Sequence, residues 1–108
     1  MRLSEQQLIE LGKATIRRQA QAVAALESQI NGSVAAAVTA ILSGKGHTII
    51  CGMGKSGHIG AKIAATLAST GTPAFFLHPA EAYHGDLGMI TPRDVIVLIS
   101  YSGETDEV

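Results

Sequence analysis

Residues 48–69 constrain the fold most, because they join a short apolar run, a glycine-rich segment and an amphipathic segment. Residues 48–51 are rich in β-branched side chains and predict a buried strand. Residues 52–57 predict a glycine turn, residues 58–69 a helix, and Gly71 is placed to end that helix. Such a turn directs the free N–H groups and the positive dipole end of a helix at one spot, which suits an anion such as phosphate.

Two well-known nucleotide motifs match this turn only in part. Gly52, Gly54 and Gly57 fit the G-x-G-x-x-G dinucleotide pattern, but the second predicted strand does not close on the acid that would bind a ribose. A P-loop requires a glycine five residues before Gly54, and that residue is Ile49. Neither motif is therefore complete.

A third interpretation is a small phosphorylated metabolite. Ser56 and the N–H groups of the turn would hold its phosphate, which leaves Lys55 free for charge or chemistry. The alternative without a ligand is a tight structural turn with a solvated Lys55. We favour the ligand.

Composition excludes several classes of protein. The chain has 108 residues, 46% of them hydrophobic and 16% charged, which fits one globular domain at most. The net charge is −1 without a basic stripe, which argues against nucleic acid, and no apolar run approaches the ~20 residues that span a membrane. Cys51 is the only cysteine and is predicted to be buried, so a reducing cytoplasm is expected.

Two helices are predicted before this region, in residues 1–43. Ser4 and Gln7 form a capping box, and apolar residues then recur seven apart as far as Ile30, where Asn31-Gly32 breaks the helix. The apolar stripe can dock on its own domain or pair with a second subunit. Ser33 is the predicted cap of the second helix.

The remainder, residues 44–108, predicts an α/β fold with a doubly wound parallel sheet. Further strands are predicted at 74–77 and 95–99, the latter a central strand because it is apolar on both faces, with a long loop at 78–90 between them. Ligands of such sheets bind beyond the carboxyl ends of the strands. Ser102 is the expected N-cap of a further helix, and we expect the chain to be the N-terminal part of a longer protein.

Four segments resemble the arabinose-5-phosphate isomerases, which are sugar-isomerase (SIS) domain proteins. These are GMGKSGHIG at 52–60, ASTGTP at 68–73, HPAEA with HGDLGM across 78–89, and SYSGE at 100–104. The resemblance implies a flavodoxin-like three-layer α/β/α fold and interconversion of D-ribulose 5-phosphate and D-arabinose 5-phosphate. It also implies a homo-oligomer, dimer or tetramer, and no cofactor.

The resemblance assigns a role to each candidate residue. Lys55, His84 and Glu107 would be the catalytic groups. For proton exchange through an enediolate, our own hypothesis makes Glu107 the base, places Lys55 at the oxyanion, and gives His84 a substrate hydroxyl or the opening of the sugar ring. His78 would be the histidine that can take an inhibitory zinc ion. The residues implied to bind the substrate or its phosphate are Ser56, Gly71, Thr72, His84, Ser100, Ser102 and Thr105.

Three other functions remain open: a regulatory SIS module that binds sugar phosphate without chemistry, a structural or oligomer-forming remnant, and, least favoured, a dinucleotide enzyme. A fragment of this length is expected to be inactive or weakly active alone.

Overall fold

The computed structural model describes residues 2–104, except for the side chain of Asp86. The chain divides into two compact units, Met1–Ala37 and Val38–Val108. No helix in the described part is long and apolar enough to cross a membrane.

The first unit is helical. Helix α1 spans Glu5–Ala25 and begins with the predicted capping box, in which Ser4 and Gln7 satisfy each other's backbone N–H groups. A 3₁₀ turn at Leu26–Gln29 follows, so the α-helical part is shorter than predicted.

Helix α2 spans Gly32–Ser43 and corrects one prediction. Its cap is Asn31 and not Ser33: the Asn31 Oδ1 accepts the backbone N–H of Ser33 at 2.9 Å, and the Asn31 carbonyl accepts those of Val34 and Ala35. Asparagine is among the strongest N-cap residues.

The second unit contains a three-stranded parallel sheet in the order β2-β1-β3. Strand β1 is Thr48–Gly52, β2 is Ala74–Leu77 and β3 is Val95–Ile99, with Cys51 opposite both Leu77 and Leu98. Every residue of β1 is buried, as expected for the strand between two neighbours.

Strand β3 has one neighbour in the described sheet, β1. Ile96 is 45% exposed and Leu98 is 56% exposed. The prediction that β3 is a central strand concerns the sheet of the longer protein, and it stays a prediction.

Helices cover both faces of the sheet, which confirms the doubly wound α/β class. Helix α3, Gly54–Ser69, packs on the face that carries Ile50 and Phe76. Helix α4, Pro79–Tyr83, packs on the opposite face, where Ile49, Leu77 and Ala82 form a buried cluster. The predicted loop at 78–90 thus contains α4 and a 3₁₀ turn at Asp86–Met89.

Candidate functional site

The junction between β1 and α3 is tighter than the predicted turn. Helix α3 begins at Gly54, so Lys55 and Ser56 belong to its first turn. Gly54 has φ +58°, a left-handed conformation that favours glycine. The Gly57 N–H donates to the Met53 carbonyl at 3.1 Å, and no side chain within residues 2–104 caps this end of the helix. The amides of residues 54–56 are thus left for a ligand or water.

Glycines allow the first turn of α3 to lie directly against the sheet. A Cβ atom on Gly52 would come within 3.1 Å of the Ile99 carbonyl oxygen and 3.2 Å of the Ser56 backbone. A Cβ atom on Gly57 would come within 2.7 Å of the Gly52 carbonyl oxygen. The backbone of Ser56 therefore lies close to the last residue of β3, and Ser100 comes next along the chain.

The segment after β3 is folded by its own serine hydroxyls. The Ser100 Oγ accepts the N–H of Gly103 at 2.9 Å, and the Ser102 Oγ accepts the N–H of Glu104 at 3.1 Å. Gly103 has φ +74°. A hydroxyl that accepts one hydrogen bond can still donate its own proton, so both serines can donate to an anion.

After β2, His78 has a structural task of its own. It is the N-cap of α4, where its Nδ1 accepts the N–H of Ala80 at 3.0 Å. The Nδ1 is thereby an acceptor, which puts the proton of the neutral ring on Nε2. Only Nε2 is left for a metal or a substrate.

A zinc site around His78 is not formed by the described residues. Within residues 2–104, no group of three or more His, Cys, Asp or Glu side chains could hold a metal ion. The His78 imidazole without further described ligands does not fit a protein zinc site, which needs three or four ligands.

His84 and Lys55 are exposed, and their side chains make no hydrogen bond or ion pair with another described residue. His84 ends α4, its ring 5.9 Å from that of Tyr83, and Gly85 follows with φ +128°. Both polar groups are therefore free to face a ligand.

Gly71 and Thr72 lie at the amino ends of the strands, at the other end of the sheet from Ser56. Gly71, with φ +101°, ends α3 as predicted, and the Thr72 N–H donates to the Leu67 carbonyl at 2.9 Å. The next residue, Pro73, accepts the N–H of Thr48, the first residue of β1, at 2.8 Å. Since 14 residues of α3 run from Ser56 to its end at Ser69, about 20 Å of helix separates this corner from Ser56.

The SIS domain family profile matches residues 41–108. The chain belongs to the SIS domain family. It is 57% identical over 102 residues to the arabinose 5-phosphate isomerase KpsF of Escherichia coli O6:H1, covering 94% of this chain and 31% of the relative. It is 54% identical over 99 residues to the arabinose 5-phosphate isomerase KdsD of Yersinia pestis, covering 92% of this chain and 30% of the relative.

A solved structure of an Escherichia coli CFT073 protein in complex with arabinose 5-phosphate shares this SIS fold. The TM-score is 0.89 at 44% identity, and the match covers 97% of this chain and 56% of that one. The chain thus spans about a third of the length of its curated relatives and about half of this solved chain.

In the second unit, the carboxyl ends of the strands bring together most of the predicted site residues. The residues that follow a strand there are Lys55, Ser56, His78, Ser100 and Ser102. His84 follows at the end of α4, whereas Gly71 and Thr72 lie at the amino ends of the strands. Thr105 and Glu107 lie outside the described residues. The feature that the sequence analysis missed is the helix start at Gly54, which puts Lys55 and Ser56 beside free amides. The signal was Gly54 itself, two residues after the strand.

Proposed function

We propose that the chain is the N-terminal part of an arabinose 5-phosphate isomerase, which interconverts D-ribulose 5-phosphate and D-arabinose 5-phosphate in the cytoplasm. The product would feed synthesis of the eight-carbon acid sugar of lipopolysaccharide or capsule. The names of the relatives and the structural neighbour in complex with arabinose 5-phosphate support this proposal.

The first turn of α3 is the observation that carries the proposal. It presents amides that no described side chain caps, and the Ser56 backbone lies beside the end of β3. A helix N-terminus favours phosphate through its N–H groups and its dipole. We assign the phosphate of the sugar to this place, with Ser100, Ser102 and Thr105 as further donors.

The exchange of aldose and ketose moves a proton between C1 and C2 through an enediolate. It needs a base, a donor or cation facing the developing oxyanion, and a group that handles the hydroxyls. We assign these tasks to the Glu107 carboxylate, the Lys55 ammonium and the His84 imidazole respectively. The reaction needs no cofactor, and no step runs through zinc, which at His78 would require ligands beyond the described residues.

A second copy of the chain would complete the site. If Gly71 and Thr72 touch the substrate, they have to come from another subunit, because about 20 Å of helix separates them from Ser56. The apolar stripe of α1 fits a homo-oligomer, a dimer or tetramer, since Ile16 is 68% exposed and Val23 is 67% exposed.

The test is exchange of the C2 proton of ribulose 5-phosphate with deuterated water, followed by NMR, on the whole protein and on this chain. Lys55→Met in the whole protein should reduce turnover by at least a hundredfold, because a preorganised charge on the oxyanion typically supplies that much. Lys62→Met is the matched control: Lys62 lies on α3 and only donates to Thr66. Unchanged turnover with Lys55→Met removes that residue from the mechanism.

Binding of the sugar phosphate by the whole protein without any exchange would instead identify a regulatory module.

Subunit mixing tests whether a second copy contributes to the site. Lys55→Met and Thr72→Trp proteins, each inactive alone, should recover activity when they are unfolded and refolded together, since one site of a mixed dimer then has both intact residues. No recovery would put Thr72 outside the substrate site.

A further inference from the structure

A separate cleft lies at the amino ends of the strands, at the other end of the sheet from the candidate functional site. Its volume is about 520 Å³, within the range of small-molecule sites. Strand β1, Thr48–Gly52, separates the two places by about 16 Å. The cleft is lined by Lys45, Gly46, His47, Phe75, Met89, Thr91, Pro92, Arg93 and Asp94.

The side chains that line this cleft carry more positive than negative charge. The one carboxylate among them, Asp94, accepts the N–H of His47 through Oδ1 and that of Thr91 through Oδ2, both at 2.7 Å. The side chains of Lys45 and Arg93 make no ion pair or hydrogen bond with any described residue. Two cations thus line the cleft with one acid, and Asp94 forms an ion pair with neither of them.

The cleft is held in shape by the loops before β1 and β3. The Val95 N–H donates to the His47 carbonyl at 3.0 Å, and the Asp94 N–H donates to the Thr91 carbonyl at 3.0 Å. Gly46 allows the close approach of these loops, because a Cβ atom there would come within 2.8 Å of the Arg93 carbonyl. A ligand would meet a preformed wall and not two loose side chains.

One wall of the cleft suits a flat ring. The imidazole of His47 meets the ring of Phe75 edge to face, with centroids 5.5 Å apart, and Met89 and Pro92 add apolar surface. Aromatic and thioether groups favour contact with a planar apolar body.

We propose that this cleft is a second binding site, for a small anion in which a phosphate or carboxylate is attached to a planar ring. Lys45 and Arg93 bind the charged group, and His47 and Phe75 contact the ring. A bound ligand bridges the segments that precede β1 and β3. The other ends of these two strands form the candidate functional site. Because the ligand binds the folded chain, it also stabilises the second unit.

The test uses phenyl phosphate as the probe and follows the backbone amides of the ¹⁵N-labelled full chain by NMR. Phenyl phosphate should shift the amides of residues 45–47 and 91–94 and should bind more tightly than inorganic phosphate. Lys45→Gln and Arg93→Gln should each weaken binding about fivefold, the upper end of what an exposed ion pair contributes. Lys62→Gln, an exposed cation away from the cleft, should change nothing.

The amides of residues 54–57 report the candidate functional site separately in the same spectra, so either proposal can fail without the other. Three results would overturn the proposed cleft site: no shift at the cleft amides at millimolar probe, equal affinity in Lys45→Gln, Arg93→Gln and the parent chain, or equal affinity for phenyl phosphate and inorganic phosphate.

Discussion

Gly57 offers a direct test of how the sequence positions the candidate site. In Gly57→Ala, the new Cβ would lie 2.7 Å from the carbonyl oxygen of Gly52 and 3.5 Å from the Phe76 ring. A backbone carbonyl in the central strand cannot rotate away as a flexible side chain can. The helix therefore has to move away from β1, and it takes Lys55 and Ser56 with it.

Two opposing effects set the size of the loss. Overpacking of this kind costs about 1–3 kcal/mol, and the clash with fixed backbone favours the upper half of that range. Alanine regains about 1 kcal/mol over glycine inside a helix. We expect a net loss of about 1–2 kcal/mol in the free energy of unfolding, which lowers Tm by roughly 5–10 °C for a chain of this size.

Urea unfolding followed by circular dichroism measures this loss. Gly12→Ala is the control: Gly12 lies in α1 with nothing within 4 Å of its Cβ position, so alanine there should stabilise by up to about 1 kcal/mol. If Gly57→Ala is as stable as the parent chain or more stable, the close approach of α3 to β1 does not explain the glycine.

Three further predictions concern single contacts. Asp94→Asn should lower the free energy of unfolding most at neutral pH. Two backbone N–H groups lower the pKa of Asp94 in the folded chain, so the stability that its carboxylate provides is lost as pH falls from the ordinary pKa of 3.8 through the lower pKa of the folded state. The difference in free energy between the variant and the parent chain should therefore narrow below pH 3.8, and a pH-independent difference in urea unfolding would contradict this. His78→Ala should cost about 1 kcal/mol by removing the cap of α4, whereas His78→Asn should cost less, since asparagine caps well; equal losses would argue against capping. Cys51 should react with a thiol reagent only when the chain opens, because its side chain is buried and the reagent cannot reach it; burial also raises the pKa of the thiol. Labelling at the rate of a free thiol would show that β1 is exposed.

The local fold could be read from the sequence wherever one signal had no competitor. Strands β2 and β3 have the predicted bounds, and the capping box at Ser4 and the helix end at Gly71 are confirmed. Each rests on a single local cause: a β-branched or aromatic run, a reciprocal pair of hydrogen bonds, or a residue that tolerates positive φ.

The predictions that were wrong all required information from elsewhere in the chain. Whether Asn31 or Ser33 caps α2 depends on where the preceding segment turns, since both side chains qualify. The hydrogen bond from the His47 N–H to Asp94 joins residues 47 positions apart in the sequence, and no local pattern indicates such a contact.

The glycine pattern of residues 52–60 explains why the sequence alone suggested three ligands. Gly54 adopts positive φ, and Gly52, Gly57 and Gly60 allow backbone, helix and sheet to approach, with the Cβ position of Gly60 only 3.0 Å from the Ile50 side chain. Dinucleotide folds need the same close packing of a helix on a strand, so a match to G-x-G-x-x-G reports the geometry of the junction and not the identity of the ligand. The side chains beyond the ends of the other two strands distinguish the ligand. A histidine comes after β2 and two serines come after β3, which is a set that can donate to a phosphate but does not include the acid that a ribose requires.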